Sequence, residues 1–314
     1  MSGMNPQQAA VIEPILSTHA RGYRNAQYIY SRLAPIVDIP NRSMRVIRFG
    51  KEDFRKVNTR RAPGGATGRV QYGYASDPVS LPQDSLEAVV PVENQQEAAK
   101  VPGFDLAKMS VNRVLNTFQL NMEIDVATRA RSLATYAASN RATLAGSSQW
   151  SHADSDPGKD MDDAKDAIRR MIGQQPNVLV LGPAVRKALK RHPKIKEQFK
   201  YTSSDSVTLA MLAEFFEVEE VVSGDAVYLP DTASDNDPAV DIWGKDAILA
   251  YVNRDAGDYQ SPSYAYTYRL TGCPFVETPY SERNAKSWIY PVTDEEAPYI
   301  TGGEAGFLFQ NAAA

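Results

Sequence analysis

Between Phe104 and Ala145 the chain carries neither glycine nor proline, and Val111, Leu115, Phe118, Met122, Val126, Ala130 and Leu133 recur at steps of three and four. That spacing predicts an amphipathic helix, the strongest helical signal in the sequence. About 30 residues of it would span roughly 45 Å at 1.5 Å per residue. A compact chain of this length has a radius of gyration near 20 Å, so the helix is expected to run as a spine. Asp105 and Ser110 are its candidate N-caps.

Upstream, residues 8–34 read as an amphipathic segment ending at Ala34-Pro35, and the short apolar stretch Ile36–Ile39 stops at Pro40. These residues are expected to form an arm rather than a domain. Two strand-like runs follow, Arg45–Lys51 and Arg69–Tyr74, separated by the glycine-rich Ala62–Gly68. They predict a long two-stranded loop. With few large apolar residues, such a ribbon cannot hold itself up in water and needs a surface to lie on.

Beyond Trp150 the polar stretch Ser151–Gly158 suggests a boundary. The pattern then predicts helix 160–173, strand 177–181, a cationic helix 183–191, helices 194–200 and 206–216, and strand 218–222. That alternation belongs to an α/β or α+β layer arrangement. Residues 232–237 read as a loop and 248–252 as a strand. Tyr264, Tyr266 and Tyr268 alternate on one face of another, and 275–310 reads as further strands.

The chain has 314 residues with 43% hydrophobic residues, enough for a full core without disulfides or a structural metal. A lone Cys273 is expected to be an ordinary buried thiol. Apolar runs of about six residues, as around Val178–Leu181, fall far short of the roughly 20 that a membrane span needs. The N-terminal residues lack a basic region followed by an apolar one, so no secretory signal is expected. A net charge of −4 argues against an autonomous nucleic-acid binder. The charge is uneven, however: Arg42–Arg69 carries nine basic and two acidic residues, net +7, and Glu214–Asp258 carries twelve acidic and two basic, net −10. Opposite segments on one chain suit association between copies.

Candidate chemistry is sparse. Gly64–Arg69 lacks the GxxxxGK[ST] spacing of a phosphate loop. His152, Asp154 and Asp156 lie close together but far in sequence from His19 and His192, with no metal-ligand register. There is no GxSxG elbow. The neighbouring carboxylates Asp162-Asp163 and Glu219-Glu220 read as solvated pairs rather than acid/base dyads. The basic run Arg186, Lys187, Lys190, Arg191, Lys194 and Lys196 fits a solvated helix face or contact with an acidic partner or nucleic acid. No enzyme, metal site or cofactor is expected, and the residues favour an assembly protein.

In order and spacing, several segments resemble the major capsid proteins of tailed bacteriophages, with the Hong Kong 97-like (HK97-like) fold, an α+β architecture. They are Arg32–Pro35 (RLAP) with Val37–Pro40 (VDIP); Phe49–Phe54 with Asn58–Gly64; Trp150 leading to Asp156-Pro157 and Asp160; and Pro176–Gly182 followed by Leu189–Pro193 and Lys200-Tyr201. The resemblance implies an N-terminal arm (1–44), an extended E-loop (45–80), a peripheral domain with the spine helix (81–150), an axial domain (151–260) and C-terminal strands returning to the peripheral domain (261–314). It implies self-assembly through pentamers and hexamers into an icosahedral head around double-stranded DNA, with no catalysis. In this family the E-loop lies across a neighbouring subunit. Arg55, Lys56, Arg60, Arg61 and Arg69 are therefore expected to meet acidic or backbone acceptors there, and Lys187, Lys190 and Arg191 to lie at a subunit interface. Around the five-fold and six-fold positions, residues 183–201 or the acidic loop 231–237 would meet. Implied partners are a portal, a separate scaffolding protein, a decoration protein and non-specifically contacted DNA, with assembly in the host cytoplasm and no membrane. Lys51 and Lys56 occupy the region of an isopeptide crosslink in some relatives, but no matching asparagine and acid are evident, and no crosslink is predicted. An encapsulin-like compartment protein of the same fold is the alternative.

Overall fold

The computed structural model describes residues 12–25, 27–48, 60, 75–98, 105–199, 207–234, 236–254 and 262–314. Along the chain these form α1 (Pro14–Gly22), α2 (Tyr30–Leu33), β1 (Ile36–Ile39), β2 (Ser43–Arg48), β3 (Ala75–Ser80), β4 (Asp84–Pro91), α3 (Val92–Ala98), α4 (Leu106–Ala130) and β5 (Arg141–Thr143). There follow α5 (Pro157–Ile172), β6 (Val178–Leu181), α6 (Pro183–Arg191), α7 (Pro193–Gln198), α8 (Leu209–Phe215), β7 (Glu220–Ser223), β8 (Val227–Tyr228), β9 (Val240–Asp241) and β10 (Ala247–Ala250). The chain ends with β11 (Tyr266–Leu270), β12 (Phe275–Val276), β13 (Tyr280–Glu282), β14 (Ser287–Asp294), β15 (Glu296–Tyr299) and β16 (Gly306–Gln310).

The spine is α4. Asp105 caps it, its Oδ1 accepting from the Lys108 N–H at 3.1 Å. Its 25 residues correspond to about 37 Å, shorter than the glycine- and proline-free run predicts. The helix stops because other groups take its last carbonyls: Thr135 Oγ1 donates to Arg129 O at 2.8 Å and the Tyr136 hydroxyl to Ala130 O at 2.7 Å. Meanwhile Arg131 is drawn aside to Asp246 Oδ2 at 2.6 Å and Ile242 O at 2.9 Å. Leu133, expected on the helix, sits in a following 3-10 turn.

The N-terminal segment is not one helix. Asn25, Ile29 and Tyr30 give their backbone N–H groups to Gln119 and Glu123 of α4, so donors that a continuous helix would use internally are spent on tertiary contacts. From Ile12 onward the expected arm folds onto its own subunit. Ile12 bridges Glu277, and Ser17 exchanges hydrogen bonds with the Val276 backbone at 2.9 and 3.1 Å. Leu16 and Ala20 join Val111, Leu115, Phe118, Tyr290 and Val292 in one core. That core lies beneath the sheet in which β14 pairs with β4 from Ser287↔Pro91 to Asp294↔Asp84.

A five-stranded sheet, ordered β5-β16-β10-β6-β7, forms the centre of the other core. Every residue of β6 and β10 is buried, as continuous apolar runs covered on both faces require. Two pairings cross the expected partition. Strand β16 enters this sheet beside β10 rather than returning to the layer that holds β14, and β5, from the segment expected to be peripheral, pairs with it in parallel. The run Phe307–Phe309 is buried throughout, which only an interior strand can satisfy. Nor does Trp150 mark a gap: it is fully buried, donates from Nε1 to Asp160 Oδ2 at 2.9 Å, and packs on Phe309 at 4.9 Å.

Gly224 touches the same core. A Cβ there would lie 2.1 Å from the ring of buried Trp243. Gly224→Ala is therefore expected to cost about 3 kcal/mol, read as a lower urea midpoint. A change below about 0.5 kcal/mol would show that the indole can retreat.

A third layer, β1-β11-β15, supports the ribbon β2-β3. Tyr266 and Tyr268 share its core with Val37, Ile39, Val46, Val79 and Leu81. Tyr264 precedes the strand and enters the central core instead. Ala265 and Thr267 are buried as well, so both faces are covered where alternation suggested one. The described return strand of the ribbon is Ala75–Ser80. The expected run 69–74 lies outside the described residues.

Candidate assembly interface

Two surfaces carry the charges singled out in the sequence. The first is the root of the ribbon. Arg42 holds Glu295 through two hydrogen bonds, Nε to Oε2 at 2.6 Å and Nη2 to Oε1 at 2.8 Å, and Gln83 adds a third at 3.0 Å. These bonds hold the Glu295 carboxyl below its ordinary range. Leu81 N–H donates to Arg42 O at 2.9 Å, so both chains of the ribbon leave the body at a pinned base. Arg60 is exposed; Arg55, Lys56, Arg61 and Arg69, and with them Lys51 and the glycine-rich Gly64–Arg69, lie outside the described residues.

The second surface is α6. Pro183 opens it with a preset φ, and Val185 and Leu189, one turn apart, are fully buried. That register turns Lys187, Lys190 and Arg191 outward, where they are exposed and form no ion pair among the described residues. Arg186 instead pairs with Asp225 at 2.6 Å, and Lys194 with Asp156 at 2.9 Å. A groove of about 400 Å³ runs beside α6, lined by Trp150, Ala184, Lys187, Ala188, Arg191 and His192 among others.

A larger groove, about 790 Å³, lies between the C-terminal end of α4 and the loop after β15. Arg129, Thr135, Tyr136, Tyr299 and Glu304 line it. Glu304 Oε2 is buried there without a hydrogen-bond partner.

The residues weighed for catalysis are placed as follows. Cys273 is buried, and desolvation pushes its thiol up to about 11, leaving it protonated at neutral pH. His192 and Ser155 meet in the interior, Nε2 to Oγ at 3.1 Å, a pair that sequence spacing concealed. Ser155 Oγ donates to His152 O at 2.8 Å, and no acid orients His192, whose Nδ1 has no partner. Burial lowers the His192 pKa and keeps the ring neutral. Asp162 and Asp163 are solvent-exposed, whereas Glu220 is bound by Arg32 and Arg254. Among the described residues no three His, Cys, Asp or Glu side chains group to hold a metal ion, and no helix is long and apolar enough to cross a membrane.

Sequence reasoning missed Glu295 as an acceptor and Glu304 as a buried carboxyl whose Oε2 has no partner. Arg42 and Glu295 are 253 positions apart, so no spacing rule links them. Glu123, a carboxylate with no exposed surface, was hidden within the helical pattern.

Among the described residues the arrangement offers charged faces, grooves and an anchored ribbon. Comparisons with known proteins identify the family. The family described as phage major capsid protein E matches residues 135–258. A phage-related protein from Bordetella bronchiseptica RB50, 42% identical, superposes with a TM-score of 0.83 over 97% of this chain and 99% of that one. The SrpI encapsulin of Synechococcus elongatus PCC 7942 covers 91% of this chain and 88% of its own at a TM-score of 0.55 and 12% identity, which shows the shared HK97-like fold alone. The major capsid protein of Burkholderia phage BcepMu is 35% identical over 303 residues, 95% of each chain. With that identity across nearly its whole length, the chain belongs to the family of phage major capsid proteins.

Proposed function

We propose that the chain assembles through pentamers and hexamers into an icosahedral phage head that encloses double-stranded DNA, and that it catalyses no reaction. Family membership places it in the virion capsid as a homo-oligomer. The pinned ribbon root supports the rest of the reading: Arg42 is locked to Glu295, so the described strands β2 and β3 start from a fixed base. Residues 45–80 serve as the E-loop, and the unpartnered Glu304 in the large groove is an acceptor for a neighbour's Arg55, Lys56, Arg60, Arg61 or Arg69. Residues 1–44 act as the arm, 81–150 as the peripheral domain, 151–260 as the axial domain and 261–314 as the returning strands, apart from β16. A portal, a separate scaffolding protein and a decoration protein complete the particle, which forms in the host cytoplasm and touches DNA non-specifically. The encapsulin alternative has only the fold behind it.

Negative-stain electron microscopy with light scattering on the purified chain, alone and with candidate scaffold proteins, tests the reading. Shells, tubes or capsomer rings are expected, and a strict monomer under every condition would count against it. Charge reversal at both Arg60 and Arg61 is expected to lower shell yield at least tenfold, and unchanged yield removes these residues from the interface.

A further inference from the structure

We infer that the β8–β9 hairpin of one copy docks in the groove beside α6 of a second copy, its aspartates meeting Lys187, Lys190 and Arg191. This rests on the reading that those three cations lie at a subunit interface, and it names what they contact.

The hairpin is built as an unfinished element. Its base, Ala226 and Ile242, enters the central core, but beyond it only Val227↔Asp241 and Tyr228↔Val240 pair, and so short a ribbon is marginal in water. Val227, Leu229 and Val240 are nevertheless 49%, 43% and 46% exposed. Asp231 and Asp241 are exposed too, with no ion pair among the described residues. Exposed aliphatic side chains with exposed carboxylates on the same short ribbon mark a contact surface.

The groove has the complementary character. Trp150, Ala184 and Ala188 supply apolar lining, and Lys187 and Arg191 contribute positive charge. His192 also lines it, 2% exposed, with Nδ1 lacking a partner. That nitrogen is a buried polar group left unsatisfied within one subunit. Packaged DNA could pair with the cations, but phosphates offer nothing to the apolar lining and leave the hairpin's aliphatics in water.

The hairpin does not line the groove of its own subunit. Its base is tied to α6 by the Arg186–Asp225 pair, at a residue that does not line the groove. The contact therefore joins two different patches on two copies, a heterologous arrangement that closes into a ring when the rotation allows.

Charge exchange tests this directly. One chain carries Lys187→Glu and Arg191→Glu, a second carries Asp231→Lys and Asp241→Lys, and a third carries all four; circular dichroism confirms folding, and shells are counted by electron microscopy and light scattering. Each half-variant is expected to lose at least tenfold in shell yield, and the four-fold variant to recover most of it. Wild-type yield in both half-variants, or no recovery in the combination, overturns the contact while leaving the capsid reading intact. So does an α6 variant that assembles normally but no longer retards double-stranded DNA in a gel, which would assign the face to nucleic acid. Failure of the unmutated chain to assemble either alone or with candidate scaffold proteins overturns both readings.

Discussion

Replacing Glu123 with alanine is expected to destabilise the subunit by about 5 kcal/mol, enough to leave little folded chain at 37 °C. Its carboxylate accepts from Ile29 N at 3.0 Å, Tyr30 N at 2.7 Å and Trp243 Nε1 at 2.6 Å. All of this happens inside the core, where Glu123 and Leu33 have no exposed surface and Trp243 is 1% exposed. Three elements therefore converge on one side chain: the N-terminal segment, α4 and the Trp243 loop. Burial pushes the Glu123 pKa up, and the donors from Trp243, Ile29 and Tyr30 oppose that shift without cancelling it. Truncation leaves three buried N–H groups without a partner, each costing roughly 1–3 kcal/mol. Glu123→Gln keeps one carbonyl oxygen but turns an amide NH2 toward a donor, so about half the loss is expected. Urea unfolding followed by Trp fluorescence measures both. A loss below about 1 kcal/mol for the alanine variant would mean that water replaces the carboxylate and that it does not join these elements.

A second large effect is expected from pH. Raising it from 5 to 9 should lower the unfolding temperature by about 5–10 °C, and Glu296→Gln should remove most of that slope. Asp294, Glu295 and Glu296 are consecutive, so their side chains alternate. Glu295 turns to Arg42 and Gln83, whereas Asp294 and Glu296 line a small cavity together with Tyr23, Arg24, Tyr30 and Arg269. Asp84, Asp125 and Arg129 share an adjoining cavity with both acids. Only two cations, Arg24 and Arg269, help lower these pKa values, and Arg269 is already bound to Asp38 at 2.8 Å. Desolvation therefore dominates: the Asp294 carboxyl is raised to about 6, and that of Glu296, with Asp294 beside it, to about 8.

The direction of the pH effect follows from proton counts. A carboxyl with a raised folded-state pKa binds its proton more tightly in the native state than in the unfolded chain. Its contribution is full below the unfolded value, near 4.5 for glutamate, and is lost as pH climbs through the folded value. For a shift of that size the loss is on the order of 4 kcal/mol. Glu295 behaves oppositely: its lowered pKa contributes above the unfolded value and is lost in acid. Stability is accordingly expected to be highest at about pH 4, where the Glu296 and Asp294 contributions approach their full size and that of Glu295 is only partly lost. Thermal unfolding at one-unit pH steps checks this, and a flat profile from 5 to 9 in the unmutated chain would show that the two acids ionise without cost.

Elements whose signals are local were legible in the sequence. Asp105 caps the spine as read, and Pro183–Arg191 forms the helix that its composition and flanks define. The helix expected at 160–173 forms and Gly173 closes it at φ 70°, but it begins earlier, at Pro157, where Asp156 caps it by accepting from Lys159 N at 3.2 Å. In each case a residue adjacent in the chain supplies or withholds a backbone hydrogen bond, so a window of a few residues contains the whole cause. The capsid family was likewise legible, because motifs in a shared order report ancestry without requiring the contacts to be known.

What the tertiary structure alone decided depends on partners far apart in the chain. The end of α4 at Ala130 depends on Asp246, 115 positions from the Arg131 that it draws aside, acting with the nearby Thr135 and Tyr136 that take the last carbonyls. Strand β16 belongs to the central sheet because β10 and β5 offer it two paired edges, and no pattern within Gly306–Gln310 names those neighbours. Asp294 and Glu296 read as an ordinary acidic run until burial removes the water that would keep them charged. Propensity and capping are short-range energies written along the chain, whereas desolvation and hydrogen-bond competition are set by what packs against a group, and that is known only once the chain has folded.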